Sequence, residues 1–366
     1  MELLFWASFA AVAYAYFGYA LWLSAFARKR PVVQSPITPP ISILIAARNE
    51  EANLALKIEN LRALDYPREQ IQTLIVSDGS TDGTAALLES HAPEITPILL
   101  PTSGGKANAL NQAVAQATGD ILVFLDARQS LDPSAVAALV ANFADPTVGA
   151  VSGELLLESP SGQPTGDALG LYWKIEKIVR RLESESGSVV GVTGAIYAIR
   201  RELFVPMPPG LLLDDVFVPM NVARQGFRVL FEPSAIARDL IFTQPGKEFS
   251  RKVRTLTGNY QLVQLAPWLL TPANPLLFRF LSHKLMRLCV PLFLLLILIT
   301  SVLLPSPFYK AIALAQLVFY GAAVLGEASP SLKKIKPVAI ANTFAMLNLA
   351  AALAFYNFLT GRKAWG

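Results

Sequence analysis

The chain's chemically telling feature is a set of acids placed just past apolar runs. Leu74-Ile75-Val76 stops at Ser77-Asp78-Gly79-Ser80-Thr81-Asp82-Gly83-Thr84. Ile41 to Ala47 runs into Arg48-Asn49-Glu50-Glu51, and Ile121 to Leu125 ends in Asp126. Gly, Ser and Asp favour turns and caps, so each run reads as a strand that gives way to a turn. A carboxylate there, ahead of a helix, is where open α/β sheets bind nucleotides. Lys106 follows Gly104-Gly105, so its ammonium can approach phosphates beside a turn without side chains. Two adjacent acids, Asp214 and Asp215, come later, and such a pair favours a raised pKa on one member. Taken singly, these residues would equally make capped turns, with Thr81 or Asp82 as an N-cap, or a surface lysine at a helix start.

The elements that must hold these residues alternate. Strands are expected over 41–47, 71–76, 95–100 and 121–125, with helices over about 51–64, 85–90 and 106–117 between them. That alternation predicts an α/β domain with a mostly parallel sheet and helices on both faces. The polar signatures would then share one sheet edge. Further on, a strand is expected over 148–157 and a helix over 169–182. The helix sets Tyr172, Trp173, Ile175, Ile178, Val179 and Leu182 against Lys174, Lys177, Arg180 and Arg181. Such a helix suits a membrane surface or packing on the sheet equally well. Arg251-Lys252-Val253-Arg254 falls in another helix.

Composition places the domain at a membrane. Of 366 residues, 53% are hydrophobic and 16% charged, with a mean hydropathy of +0.44, too apolar for an ordinary soluble protein. The excess lies in 3–26, 285–304, 308–326 and 338–360, each suited to a bilayer crossing of about 20 residues. Arg28-Lys29-Arg30 puts the residues after the first span in the cytoplasm by the positive-inside rule. Four spans would leave the C-terminus outside, against Arg362 and Lys363, so the last stretch is expected to be a hairpin or an interfacial helix. The expected division is a span over 1–28, a cytoplasmic domain over 29–260, interfacial helices over 261–284 and spans over 285–366. Cys289 is the single cysteine, and His91 and His283 are the only histidines. These numbers exclude a disulfide framework, a cysteine zinc site and a histidine-rich metal site. A net charge of +4 and a pI near 9.1 suit lipid headgroups and diphosphates. No basic helix with interleaved aromatics argues for nucleic acid.

Seven short motifs occur in a fixed order: Ala47-Arg48-Asn49-Glu50-Glu51, Ser77-Asp78-Gly79-Ser80-Thr81-Asp82, Gly105-Lys106-Ala107-Asn108-Ala109-Leu110-Asn111, Asp126-Ala127-Arg128, Gly194, Asp214-Asp215 and Arg251-x-x-Arg254. With them the chain resembles the membrane-integrated family 2 glycosyltransferases of the GT-A fold, such as cellulose, hyaluronan, chitin and poly-N-acetylglucosamine synthases and ceramide glucosyltransferase. The resemblance covers about 41–260 and extends to the flanking spans. It implies a GT-A nucleotide-sugar domain flanked by transmembrane helices in the inner (plasma) membrane. A UDP-sugar would be the donor, a polysaccharide or lipid the acceptor, and direct displacement with inversion would give a β-linked product. A ceramide, diacylglycerol or polyprenyl phosphate acceptor is the alternative. An inactive scaffold of a polysaccharide export complex is a second, and oligomeric or export partners suit either.

The resemblance also assigns roles. Asp78 would hydrogen-bond the uracil, with Glu50 near the nucleotide and Lys106 at the phosphates. Asp126 matches the first acid of an Asp-x-Asp motif that binds Mg²⁺ or Mn²⁺, because hard cations favour carboxylate oxygens. Arg128 replaces the second acid, which puts the usual metal geometry in doubt. It is expected either to contact the donor diphosphate or to point away and pair with a surface acid. Asp215 would be the general base beside Asp214. Arg251 and Arg254 would hold the diphosphate, but Thr255 stands where the family has a tryptophan lining the acceptor site.

Overall fold

The computed structural model describes residues 1–158, 167–240 and 247–362. The side chains of Tyr172 and Trp173, and all of Lys363, lie outside the described residues. The chain opens with α1 (Glu2–Ala13) and α2 (Tyr19–Phe26), joined by a π-turn over Tyr14–Gly18. The domain then alternates as expected: β1 (Ile41–Ala47), α3 (Glu51–Arg62), β2 (Ile71–Asp78), α4 (Thr84–Ser90), β3 (Thr96–Leu100), α5 (Lys106–Ala115) and β4 (Ile121–Asp126). The second half holds β5 (Ser130–Leu131), α6 (Ala135–Ala141), β6 (Val148–Glu158), α7 (Asp167–Glu185), β7 (Ile196–Arg200), α8 (Asp214–Arg224), β8 (Arg228–Leu240) and α9 (Lys247–Leu265). It closes with α10 (Leu277–Phe280), α11 (Met286–Leu303), α12 (Pro307–Ala328), α13 (Pro330–Lys333) and α14 (Lys336–Thr360).

The eight strands form one sheet in the order β3-β2-β1-β4-β7-β6-β8-β5. The first half is parallel, with β1 between β2 and β4. The expectation of a mostly parallel sheet weakens in the second half: β7 runs antiparallel to both β4 and β6, and β5 antiparallel to β8. Both faces are covered, so the central strands are apolar throughout; Ile43, Leu44 and Ile45 are all fully buried. Alternate residues feed two cores, with Leu44 and Phe124 on one side and Ile43 and Leu125 on the other. Truncating any one to alanine would cost about 2–5 kcal/mol.

Four helical stretches are long and apolar enough to cross a membrane: Glu2–Phe26, Leu277–Leu303, Pro307–Ala328 and Lys336–Thr360. The last is one unbroken helix of 25 residues, so of the hairpin and the interfacial helix expected from Arg362 and Lys363 the hairpin is excluded. Its only proline lies in the first turn, where a missing N–H costs nothing. Helix α7 takes the packed placement, between the sheet and the first apolar helix. Val179 and Leu182 pack on Tyr19 and Leu23 of the first span, while Lys177 pairs with Glu154 of β6. The helix thus joins the sheet to the membrane-length helices.

Candidate active site

Parallel register brings the sequence motifs to one edge. Ala47 aligns with Ser77, and Ala46 with Asp126, so Glu50, Asp78 and Asp126 emerge together past three adjacent strands. Asp78 is 4% exposed and accepts from Ser103 Oγ (2.8 Å), Gly104 N (2.7 Å) and Gly105 N (2.9 Å). Its carboxylate therefore shapes the turn that launches α5. Gly79 is required beside it: its φ is +61°, and a Cβ there would lie 2.3 Å from Ser103 N. Glu50 caps α3 and accepts from Asn53 Nδ2 at 2.6 Å.

Lys106, the first residue of α5, joins the strand edge to the acid pair. Its Nζ donates to Asp126 Oδ1 at 2.9 Å and lies 3.2 Å from Asp214 Oδ2. Burial would lower the pKa of this ammonium, but Asp126 and Asp214 outweigh it and raise it, so Lys106 stays charged. Asp214 and Asp215 form the first turn of α8, where the helix dipole favours anions. Burial first, and Asp214 second, push Asp215 up to about 6. Lys284, Lys106 and Arg180 oppose that rise. Asp215 Oδ1 is buried without a hydrogen-bond partner, so it can accept one from a ligand. Gly194 borders the space between these groups: a Cβ on it would lie 3.7 Å from Lys106 Nζ and 3.8 Å from Asp215 Oδ2. A side chain there would intrude between the ammonium and the carboxylate.

Arg128 is paired, but with a buried acid rather than a surface one. Its guanidinium takes both oxygens of Asp239 on β8, with Nε to Oδ1 at 3.0 Å, and Asp239 is 6% exposed. Gln129 Nε2 adds a bond of 3.0 Å to the same carboxylate. Sequence reading missed Asp239 because its partner lies 111 positions away. It also missed Lys57, whose buried Nζ donates to the Gln129 carbonyl at 2.8 Å and fixes the loop after Asp126. Burial pushes Lys57 down to about 8. Tyr197 was missed too. It stacks on Phe124 with ring centres 4.6 Å apart, its hydroxyl buried without a partner near Asp214, Asp215 and Asp126. Arg251 and Arg254 are exposed on α9, and no hydrogen bond or ion pair joins them to the carboxylates among the described residues.

The described residues do not by themselves make a metal centre. Among the described residues no group of three or more His, Cys, Asp or Glu could hold an ion. Asp126 offers carboxylate oxygens of the right hardness, but Lys106 already holds Oδ1. The cation among these acids is an ammonium.

The chain joins an α/β sheet, with acids and a lysine at its strand ends, to four membrane-length helices. Comparison with known proteins narrows the reading. Residues 42–205 match the sequence profile of Glycosyl transferase family 2. Over 241 residues the chain is 27% identical to the poly-beta-1,6-N-acetyl-D-glucosamine synthase of Staphylococcus aureus, covering 64% of this chain and 58% of that protein. The chain thus spans less than two thirds of the length of those relatives. Over 152 residues it is 33% identical to the beta-monoglucosyldiacylglycerol synthase of Synechocystis sp., covering 38% of this chain and 32% of that protein. In three dimensions it matches the mannosyltransferase PcManGT of Pyrobaculum calidifontis, solved with GDP-Man and Mn²⁺. The TM-score is 0.74 at 23% identity, over 98% of this chain and 100% of the other. Residues 42–205 thus match a Glycosyl transferase family 2 domain, and the chain shares the α/β fold of that mannosyltransferase.

Proposed function

We propose that the protein is a membrane-bound inverting glycosyltransferase that moves a sugar from a UDP-sugar to a hydroxyl of a polysaccharide or lipid acceptor, forming a β-linkage. One observation carries this reading: the gap at Gly194 is bounded by the Lys106 ammonium on one side and the raised-pKa Asp215 carboxylate on the other. Direct displacement needs a base for the acceptor proton and a cation for the leaving diphosphate. Asp215 takes the proton as the acceptor oxygen bonds to the anomeric carbon. The bond from that carbon to the phosphate oxygen breaks, and UDP leaves with its added charge beside Lys106. Glu50 and the Asp78-shaped turn would flank the nucleotide. Arg251 and Arg254 on α9 would hold the diphosphate. A Mg²⁺ or Mn²⁺ ion would sit on Asp126, with the donor's diphosphate supplying further ligands. We assign the catalytic domain to the cytoplasmic face of the inner membrane from Arg28-Lys29-Arg30 and Lys333-Lys334-Ile335-Lys336.

A lipid acceptor is the second reading, favoured by the 33% identity to the beta-monoglucosyldiacylglycerol synthase. Purified full-length protein in detergent, given a panel of radiolabelled UDP-sugars, should release UDP with at least one of them. Extraction of the product into organic solvent would identify a lipid acceptor, and retention in water a polymer. No release of UDP from any sugar, in the presence of added membrane lipid, would overturn the reading.

A further inference from the structure

The basic residues of α7 do not share one environment. Lys177 and Arg181 stay 52% and 73% exposed, while Arg180 is 17% exposed and turns toward the sheet. Its guanidinium lies over the Phe231 ring of β8, 5.8 Å from the centroid. Its Nη1 donates to Thr193 Oγ1 at 2.6 Å. Its Nε lies 3.9 Å from Glu176 Oε1, but Arg287 and His283 hold that carboxylate at 2.6 and 3.1 Å. Thr193 is therefore the partner that Arg180 holds most closely.

Thr193 matters because of where it stands. Gly191, Val192 and Thr193 belong to no helix or strand, so bonds outside any ladder must hold this backbone. Val192 N donates to the Asp215 carbonyl at 2.8 Å, and Thr193 N donates to Ser152 Oγ of β6 at 2.9 Å. The next residue is Gly194, whose missing Cβ leaves the gap between Lys106 and Asp215. Arg180 thus reaches from a helix packed on the first apolar span to the turn beside Asp215.

Charge acts along the same line. Asp214 lies beside Asp215, and Lys106 faces it from α5 with Asp126 of β4 behind. Tyr197 faces it from β7, and Lys284 from the π-turn Leu281–Leu285, which heads the apolar helix that runs to Leu303. Arg180 completes the set from α7, with Glu176 on its own helix and Lys284 and Arg287 across from it. Burial and Asp214 raise the Asp215 pKa to about 6, and Lys284, Lys106 and Arg180 oppose them.

We propose that Arg180 is a positioning residue for the transfer step: it pins Thr193, which fixes the turn at Gly194 against Asp215, and it sets a positive charge behind that carboxylate. The inference rests on the reading of Asp215 as the base. A guanidinium suits both tasks, because its planar fork bonds one neighbour and stacks on another while it stays charged. Misplacing reacting groups by about 1 Å costs on the order of 10²-fold in rate.

Three variants of the full chain in detergent separate the two tasks. Arg180→Met removes bond and charge together. It should lower kcat about tenfold or more and move the acid limb of activity upward by about half a unit or more. Arg180→Lys keeps the charge and loses the fork, so the limb should return toward wild type while kcat stays low. Thr193→Val removes the hydroxyl alone, so kcat should fall with the limb in place. UDP should bind all three within about threefold of wild type. Wild-type kcat or a wild-type limb in folded Arg180→Met would overturn the proposal, as would a limb in Arg180→Lys displaced as far as in Arg180→Met. A loss of UDP affinity as large as the loss of kcat would assign Arg180 to the fold at large and overturn it too. If Arg180→Met fails to fold, the other two variants carry the test. Infrared spectroscopy follows the Asp215 carboxyl without turnover, as the protonated C=O band that Asp215→Asn removes. If no UDP-sugar is turned over but that band still titrates higher in Arg180→Met than in wild type, the base reading falls and the link between Arg180 and Asp215 stands.

Discussion

Two lysines come near Asp215 from distant parts of the chain, and they keep different company. Lys106 begins a helix inside the domain and is held by Asp126 and Asp214 at 2.9 and 3.2 Å. Lys284 sits on a π-turn at the head of a membrane-length helix and has no ion-pair partner among the described residues. The same side chain thus does two kinds of work. Lys106 neutralises acids that would otherwise repel each other and a donor diphosphate. Lys284 acts through space on Glu176 and Asp215. The difference teaches that a cation's task is set by which neighbours have already claimed it.

The largest expected effect tests what both lysines serve. Asp215→Asn should lower kcat by about 10²–10⁴-fold, the usual share of a general base, and leave UDP affinity within a few-fold. A variant that keeps more than about a tenth of the rate, in a direct assay of UDP release, would show that the lysines converge on something else.

Next, Arg128→Ala should destabilise the fold by about 3–5 kcal/mol, because Asp239 would be left buried and unpaired. Chemical denaturation of the solubilised protein measures this, and Arg128→Met with Asp239→Leu should recover much of the loss. If Arg128→Ala keeps its stability but loses UDP affinity, Arg128 belongs with Lys106 at the donor instead.

Lys106→Met should reduce kcat/KM about tenfold or more, the scale of one charge-assisted hydrogen bond at ~1.5–3 kcal/mol. It should also tighten Mn²⁺ binding to the nucleotide-free protein, measured by electron paramagnetic resonance, because Asp126 and Asp214 lose their internal cation. Unchanged Mn²⁺ affinity would show that the two acids do not act together.

The smallest effect is a shift in pH dependence. Asp215 must be ionised to act, and its pKa is raised to about 6 by burial and Asp214. Activity should therefore fall as pH drops through about 6. Lys284, Lys106 and Arg180 pull that pKa down, so Lys284→Met should move the acid limb upward. The same shift has a stability consequence. A folded pKa above the unfolded one favours the fold below the ordinary carboxylate range and loses that contribution as pH rises through about 6. Asp215→Asn should accordingly raise Tm relative to wild type at pH 8 and lose that advantage at pH 4.

Much of the strand-end cluster was legible in the chain because it is local. β1, β2 and β4 each end where apolar residues meet Gly, Ser, Asn or Asp, and parallel pairing then brings Glu50, Asp78 and Asp126 to one edge. The family motifs added Asp214 and Asp215. The four apolar stretches were equally plain, since a bilayer crossing is encoded by length and composition alone. Charge in the tail suggested a hairpin that α14 does not form, because flanking charges bear on orientation while an uninterrupted apolar run decides whether the helix continues.

The sequence by itself determined the α/β alternation, the membrane-length helices and the acids at the strand ends, because hydrophobic period and turn chemistry act between near neighbours. Only the tertiary structure decided which charge meets which. Arg128 found Asp239, Lys106 bridged Asp126 and Asp214, Lys57 reached under the loop after Asp126, and Lys284 arrived near Glu176 and Asp215. Ion pairing depends on distance in space and on burial, and pairs a hundred positions apart leave no periodic trace along the chain. Burial decided Asp215 as well, since adjacency to Asp214 could be read from the sequence and the removal of water could not.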